Sequence, residues 1–120
     1  MPDDRPAPPT APLKPRDFLI LLALAGGERH GYGLIQDIRE LSDDRVHMDP
    51  ANLYRALRRM VRDGLVLDSG RRAGDGGAER RVYRLSDAGR QTAADEAQRL
   101  ERLTVAARAR RLITGPGVTT

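Results

Sequence analysis

Apolar residues along the chain fall into four blocks with helical spacing and two short runs with strand spacing. The first block opens at Pro15 and Arg16 and runs to about Ala25. Phe18, Leu19, Leu21, Leu22 and Leu24 make it apolar on more than one side, and Gly26 and Gly27 stop it. The second covers about Gly31–Leu41, with Tyr32, Leu34, Ile35, Ile38 and Leu41 three and four residues apart. Residues 42–48 are a polar link in which Val46–Met48 reads as a short extended piece. The third helix lies within residues 49–65, DPANLYRALRRMVRDGL. Leu65–Ser69 and Arg80–Leu85 read as two strands joined by a glycine-rich tip, Gly70–Glu79. On the return strand, alternation places Tyr83 and Leu85 on the core face and Val82 and Arg84 on the other. Ser86 caps a last helix that runs to about Ile113.

The third helix carries the strongest signal. Asp49 is a suitable N-cap, Pro50 fits the first helical position, and Gly64 fits the stop. At about 100° per residue, Tyr54, Ala56, Leu57, Met60 and Val61 fall within roughly 100° of Leu53. Arg55, Arg58, Arg59 and Arg62, with Asn52, occupy the opposite arc. Four guanidiniums on one face repel one another, and solvated helix faces usually mix signs to gain i,i+4 pairs. A biased composition contributes, because the chain has 20 Arg and one Lys. That bias does not explain why the arc holds no acid before Asp63, and the pattern predicts contact with a polyanion.

The last helix, about 40 Å long at 1.5 Å per residue, exceeds what so small a domain can cover. Its stripe of Ala93, Ala97, Leu100, Leu103, Ala107 and Leu112 is expected to pack against a second copy, the alternative being a helix folded back on its own domain. With four aromatic residues (Phe18, Tyr32, Tyr54 and Tyr83) the core is thin, and dimerisation would add burial. The division expected is a proline-rich arm at 1–14, a first domain at 15–85, the dimerisation helix at 86–113 and a frayed tail at 114–120.

Net charge of +4 and a pI near 10.3 agree with a polyanionic partner. Cysteine is absent, which excludes disulfides, a thiolate nucleophile and cysteine zinc sites. His30 and His47 are the two histidines and have no clustered carboxylates, so neither a metal nor a cofactor is expected. His30 reads instead as a helix-start residue satisfied by a local hydrogen bond. Gly31 and Gly33 lack the strand and third glycine of a phosphate loop. No serine has a base at hand, and an enzyme is not expected. No signal peptide or membrane-length apolar run is evident, and cytoplasmic residence is the default.

Three helices, a two-strand hairpin and a final helix describe a mainly α fold with a small β-hairpin wing: a winged helix-turn-helix plus a long C-terminal dimerisation helix. In that architecture the third helix enters the major groove of double-stranded DNA and the hairpin touches flanking backbone or minor groove. The segments LLALAGGERHGYGLIQDI, MDPANLYRALRRMVRDGLV and RRVYRLSDAGR, in that order, resemble the PadR-like transcriptional regulators, over residues 16 to about 112. The resemblance implies a homodimeric winged-helix repressor, of the smaller subclass with one C-terminal helix that mediates dimerisation. It also implies that Asn52, Tyr54 and Arg55 sit where the recognition helix meets DNA. The chain departs from the family pattern at Asp49 and Asn52, where small hydroxyl residues are common, and at Ser86, where threonine is usual. It has no tryptophan, so the tryptophan-lined drug pocket of some relatives is not implied.

Residue chemistry then assigns roles. Asn52 suits adenine and Arg55 suits guanine by bidentate hydrogen bonding, so one or the other reads a base. Arg58, Arg59 and Arg62 are expected mostly on phosphates. Tyr54 either reaches a phosphate or packs half-buried. In the wing, Arg71, Arg72, Arg80 and Arg81 can follow a narrow minor groove. The family suggests a small aromatic or amphipathic effector, for which Phe18 and Tyr32 are the weak candidates. The function expected is a sequence-specific dimeric regulator on a pseudo-palindromic operator, released by such an effector. The other reading is a winged-helix interaction module docking an acidic protein partner, and a DNA titration with competitor separates the two.

Overall fold

The computed structural model describes residues 12–73 and 79–115. The order is α1 (Pro15–Ala25), β1 (Arg29–His30), α2 (Gly31–Leu41), α3 (Pro50–Arg62), β2 (Val66–Ala73), β3 (Glu79–Leu85) and α4 (Asp87–Ala109). Of the expected arm (1–14), glycine-rich tip (70–79) and tail (114–120), residues 1–11, 74–78 and 116–120 lie outside the described residues; Leu13 of the arm packs against the core, and 70–73 and 79 of the tip belong to the strands.

The helices begin and end where local chemistry stops them. Asp49 accepts from the Asn52 amide at 2.9 Å and caps α3, with Pro50 behind it. At the other end Gly64 takes φ +78°, which lets the Leu65 and Gly64 amides reach back to the Met60 and Val61 carbonyls in a Schellman turn. The Ser86 hydroxyl accepts from the Gly89 amide and donates to the Gly64 carbonyl at 2.6 Å, pinning the start of α4 to the end of α3. Gly89 is obligatory there: a Cβ would lie 1.9 Å from the Leu65 carbonyl oxygen.

The core joins Ile20, Leu21 and Leu24 of α1 to Leu34 and Ile38 of α2, Leu53, Leu57 and Met60 of α3, and Val66 of β2. Tyr83 and Ala93 close it from β3 and α4. Tyr32 and Leu41, grouped by spacing with the apolar face of α2, are exposed. Leu22 of α1 is also exposed, so that helix is less enclosed than its composition suggests.

Four features differ from the sequence reading. A two-residue strand, β1, pairs with β3, making the sheet three-stranded in the order β1-β3-β2. β3 is therefore the central strand, and Val82, opposite His30, is buried together with Tyr83. β2 does not stop at Ser69. Gly70 takes φ +86° in a bulge, its amide donates to Asp68 Oδ1, and pairing resumes at Arg71 opposite Arg81. Residues 46–48 join no sheet; Met48 is buried and Val46 packs against the core. Finally, α4 ends at Ala109 rather than near Ile113, because Arg111 adopts φ +61° and the Leu112 amide turns back to the Ala107 carbonyl.

Candidate nucleic-acid interface

The arginine face of α3 resolves into residues with different surroundings. Arg55, Arg58 and Arg62 are exposed, and Arg58 and Arg62 meet no carboxylate among the described residues. Arg59 stands nearest the apolar arc, about 120° from Leu53, and reaches α1 instead. Its Nη1 and Nη2 donate to Asp17 Oδ2 and Oδ1 at 3.1 and 2.9 Å, a bidentate pair whose carboxylate is buried. The Asp17 hydrogen bond raises the Arg59 pKa above its ordinary value. A partner 42 residues earlier is invisible to helical-wheel reasoning, which counted Arg59 with the others.

A relay runs along the first turns. Asn52 Nδ2 donates to Asp49 Oδ2 at 2.8 Å, and Arg55 Nη1 donates to Asn52 Oδ1 at 3.1 Å. An ionised carboxylate only accepts, so Asp49 dictates which end of the amide faces it. The Asn52 oxygen is thereby turned toward Arg55. Both ends of the amide are engaged, and the guanidinium is oriented from behind.

Tyr54 is half-buried against the core, and its ring lies 6.5 Å from that of Tyr83. A Cβ on Gly31 would stand 2.5 Å from the Tyr54 hydroxyl, so the glycine of the HGYG segment makes room for this tyrosine. Burial raises the Tyr83 pKa.

Between α3, the start of α2 and the wing lies a groove of about 950 Å³. Arg58 and Arg62 line one wall, Arg71, Arg80 and Arg81 the other, with Tyr54 and Tyr83 at its floor. Arg81 is anchored on Asp68. Burial pushes the Asp68 carboxyl up, but the Gly70 amide and Arg81 outweigh it and hold the group below its ordinary range. The Arg80 guanidinium lies 6.0 Å from the Tyr32 ring centre. Arg72 pairs with Arg80 across the ladder; its side chain lies outside the described set. His30 Nδ1, on the groove wall, is buried with no hydrogen-bond partner among the described residues, and the His30 side chain does not cap α2.

The remaining sites separate. Ala93 is buried within its own chain, as is Glu96, the last buried residue of α4. Ala97, Leu100, Leu103 and Leu112 are exposed, Leu103 by 54%, and Ala107 is half-buried. Tyr32 is 58% exposed on the groove, whose lining does not include the half-buried Phe18. No described helix is long and apolar enough to cross a membrane, and no three potential metal ligands gather among the described residues.

Comparison with known proteins places this geometry. The family model for the Transcriptional regulator PadR-like family matches residues 20–95. Transcriptional regulator Rv3488 of Mycobacterium tuberculosis is 42% identical over 84 residues, covering 70% of this chain and 74% of its own. A Streptococcus transcriptional regulator superposes with TM-score 0.67 at 20% identity, over 80% of this chain and 91% of the other. Bacillus subtilis PadR, solved in complex with operator DNA, superposes with TM-score 0.60 at 19% identity, over 90% of this chain but 52% of the longer PadR chain. The structural likenesses establish the winged-helix fold, while the family match runs unbroken from within α1, through the arginine-faced helix and the wing, to the buried part of α4. The chain belongs to the PadR-like family of transcriptional regulators.

Proposed function

We propose that the chain is a homodimeric, sequence-specific DNA-binding regulator that works in the cytoplasm as a repressor on a pseudo-palindromic operator. The observation that carries this reading is the exposed ridge of α3, where Arg55, Arg58 and Arg62 project beside a groove walled by wing arginines. The DNA-bound state of the Bacillus subtilis relative supports it. Arg55, oriented by Asn52, reads a base. Arg58 and Arg62 hold phosphates, as do Arg71, Arg72, Arg80 and Arg81 from the wing. Arg59 contributes its charge from a fixed position. Tyr54 braces the helix.

Dimerisation runs through the part of α4 beyond Glu96. Ala97, Leu100, Leu103 and Leu112, with half-buried Ala107, present apolar surface that the described residues leave uncovered, and Ala93 belongs to the intramolecular base of the helix. Two recognition helices would then meet major grooves ~34–36 Å apart. A small aromatic or amphipathic effector would release DNA by favouring another spacing of the two heads. Phe18 and Tyr32 are its candidate contacts; Tyr32 lines the groove beside the wing and Phe18 does not.

The test is an anisotropy titration against the duplex that the protein selects from a randomised library, with competitor DNA present. Competitor-resistant binding is expected, with affinity falling about 10³–10⁵-fold between 50 and 200 mM salt when six to ten of the dimer's twelve assigned arginines contact phosphates at once. Weak, sequence-blind binding would overturn the reading and favour an acidic protein partner. Leu103→Asp is expected to convert a dimer to monomers in sedimentation.

A further inference from the structure

A helix seated in a major groove has a sugar-phosphate backbone on each side of it. The groove between α3 and the wing serves one side. On α3 it is lined by Tyr54, Arg58, Val61 and Arg62, which lie about 80–180° round the helix from Leu53. A second cleft, of about 680 Å³, lies between the start of α1 and the start of α3. Its α3 wall is Asn52, Arg55, Ala56 and Arg59, about 60–160° round in the other sense. The two hollows therefore flank the arginine ridge on opposite sides.

The second cleft is also cationic. Lys14 and Arg16, both exposed, line its α1 wall and face Arg55 and Arg59 across it. The acid present, Asp17, is already engaged by Arg59. The segment is held in place independently: Leu13 packs against the core, and its amide donates to the buried Glu96 carboxylate of α4. Two cations at a fixed edge of the ridge, on the side the wing cannot reach, match the position of the other strand.

We propose that Lys14 and Arg16 form a second phosphate clamp, which binds the DNA strand opposite the one held by the wing. This rests on the DNA-binding reading above and adds a strand and two residues to it. The ligand class is the phosphodiester backbone, read without base preference. Recognition would thus be gripped from both flanks, with Arg55 between them.

The experiment compares the full-length chain with a Lys14→Ala/Arg16→Ala variant on the duplex selected by the wild type. Removing two phosphate contacts per protomer should reduce the salt slope by about 1.8 per protomer, or about 3.6 for a dimer. Between 50 and 200 mM salt the variant should therefore lose roughly 100-fold less affinity than the wild type. Preference over a scrambled duplex should be unchanged. Ethylation interference should lose one phosphate patch, on a single strand of each half-site, and Arg71→Ala/Arg80→Ala should lose the patch on the other strand. Arg102→Ala, an exposed cation of α4, controls for total charge, and thermal melting controls for folding. A variant with the wild-type slope and interference pattern overturns the clamp alone. A wild-type chain that selects no duplex overturns the reading beneath it.

Discussion

The relay at the start of α3 makes a quantitative prediction that separates two ways of reading a base. Asn52 is bonded at both ends, to Asp49 at 2.8 Å and to Arg55 at 3.1 Å. If it acts through Arg55, its contribution is that of holding a long side chain in one rotamer. Ordering such a side chain costs about 0.5–1.5 kcal/mol. Asn52→Ala should therefore weaken binding about 2- to 12-fold per half-site. Arg55→Ala, which deletes the base contact, should cost about 1–3 kcal/mol per half-site and relax preference at one base pair. Neither change touches the N-cap, because Asp49 Oδ1 still accepts from the backbone amide of residue 52.

The decisive measurement is the double-mutant cycle. With Arg55 already removed there is no guanidinium to orient, and Asn52→Ala should then cost nothing measurable. The coupling energy should equal the whole effect of the Asn52 single variant. Anisotropy titrations of wild type, both singles and the double, on the selected duplex and its single-base variants, supply the four corners. If the two effects add, and Asn52→Ala relaxes preference at a base pair of its own, the relay is incidental and Asn52 reads DNA directly.

Three further outcomes follow from the packing and ion pairs. Asp17→Asn removes a charge-assisted bidentate pair; with Arg59 partly exposed, a loss of about 1–2 kcal/mol in denaturant unfolding is expected. The same variant frees Arg59 and should steepen the salt slope of DNA binding, a gain that a purely structural residue would not produce. Glu96 is held below its ordinary value of about 4.5, first by the Arg99 hydrogen bond and then by the Leu13 amide, against its burial. A depressed carboxyl contributes stability above its unfolded value and loses it as pH falls through the folded one. The gap in melting temperature between wild type and Glu96→Gln should accordingly close on titration from neutral pH to below 4.5; a constant gap would refute the assignment. Gly89→Ala drives a methyl into the Leu65 carbonyl and should destabilise by about 1–3 kcal/mol in chemical denaturation, with α4 displaced from the wing.

How much of this was legible in the chain depends on the range of the interaction. Caps, stops and periodicity are local, and α1 and α2 begin and end where proline, glycine and spacing place them. The ridge of α3 is likewise a property of 13 consecutive residues. What escaped has its cause elsewhere in the chain. β1 has two residues and no pattern of its own; it exists because β3 offers an unpaired edge. Gly70 was legible as a break, but whether a glycine ends a strand or bulges it depends on the partner strand. Asp17 lies in the first turn of α1, and nothing local connects it to Arg59. Lys14 and Arg16 sit beside a proline-rich segment, and their meaning comes from the fold laying the start of α1 along α3. The Gly31 requirement became visible once the Tyr54 ring was seen lying over it.

The same distinction orders the arginines by what they can do. A guanidinium that the fold already holds loses little freedom on binding, but it cannot follow a misplaced target. Arg59, fixed by two hydrogen bonds to a buried carboxylate, is held hardest. Arg55, held by one amide, is restrained yet exposed in the first turns of α3. Arg58 and Arg62, exposed and without a carboxylate partner among the described residues, are left to adapt to a backbone whose shape varies with sequence. Among the exposed arginines of α3, Arg55 in the first turns is hydrogen-bonded, whereas Arg58 and Arg62 meet no carboxylate among the described residues. In the proposed reading that difference serves discrimination: a pre-oriented donor would reject the wrong base because it cannot relax to accommodate it, while unrestrained cations would supply affinity on any sequence. Charge content alone, identical for every arginine on the helix, would not have divided the labour in this way.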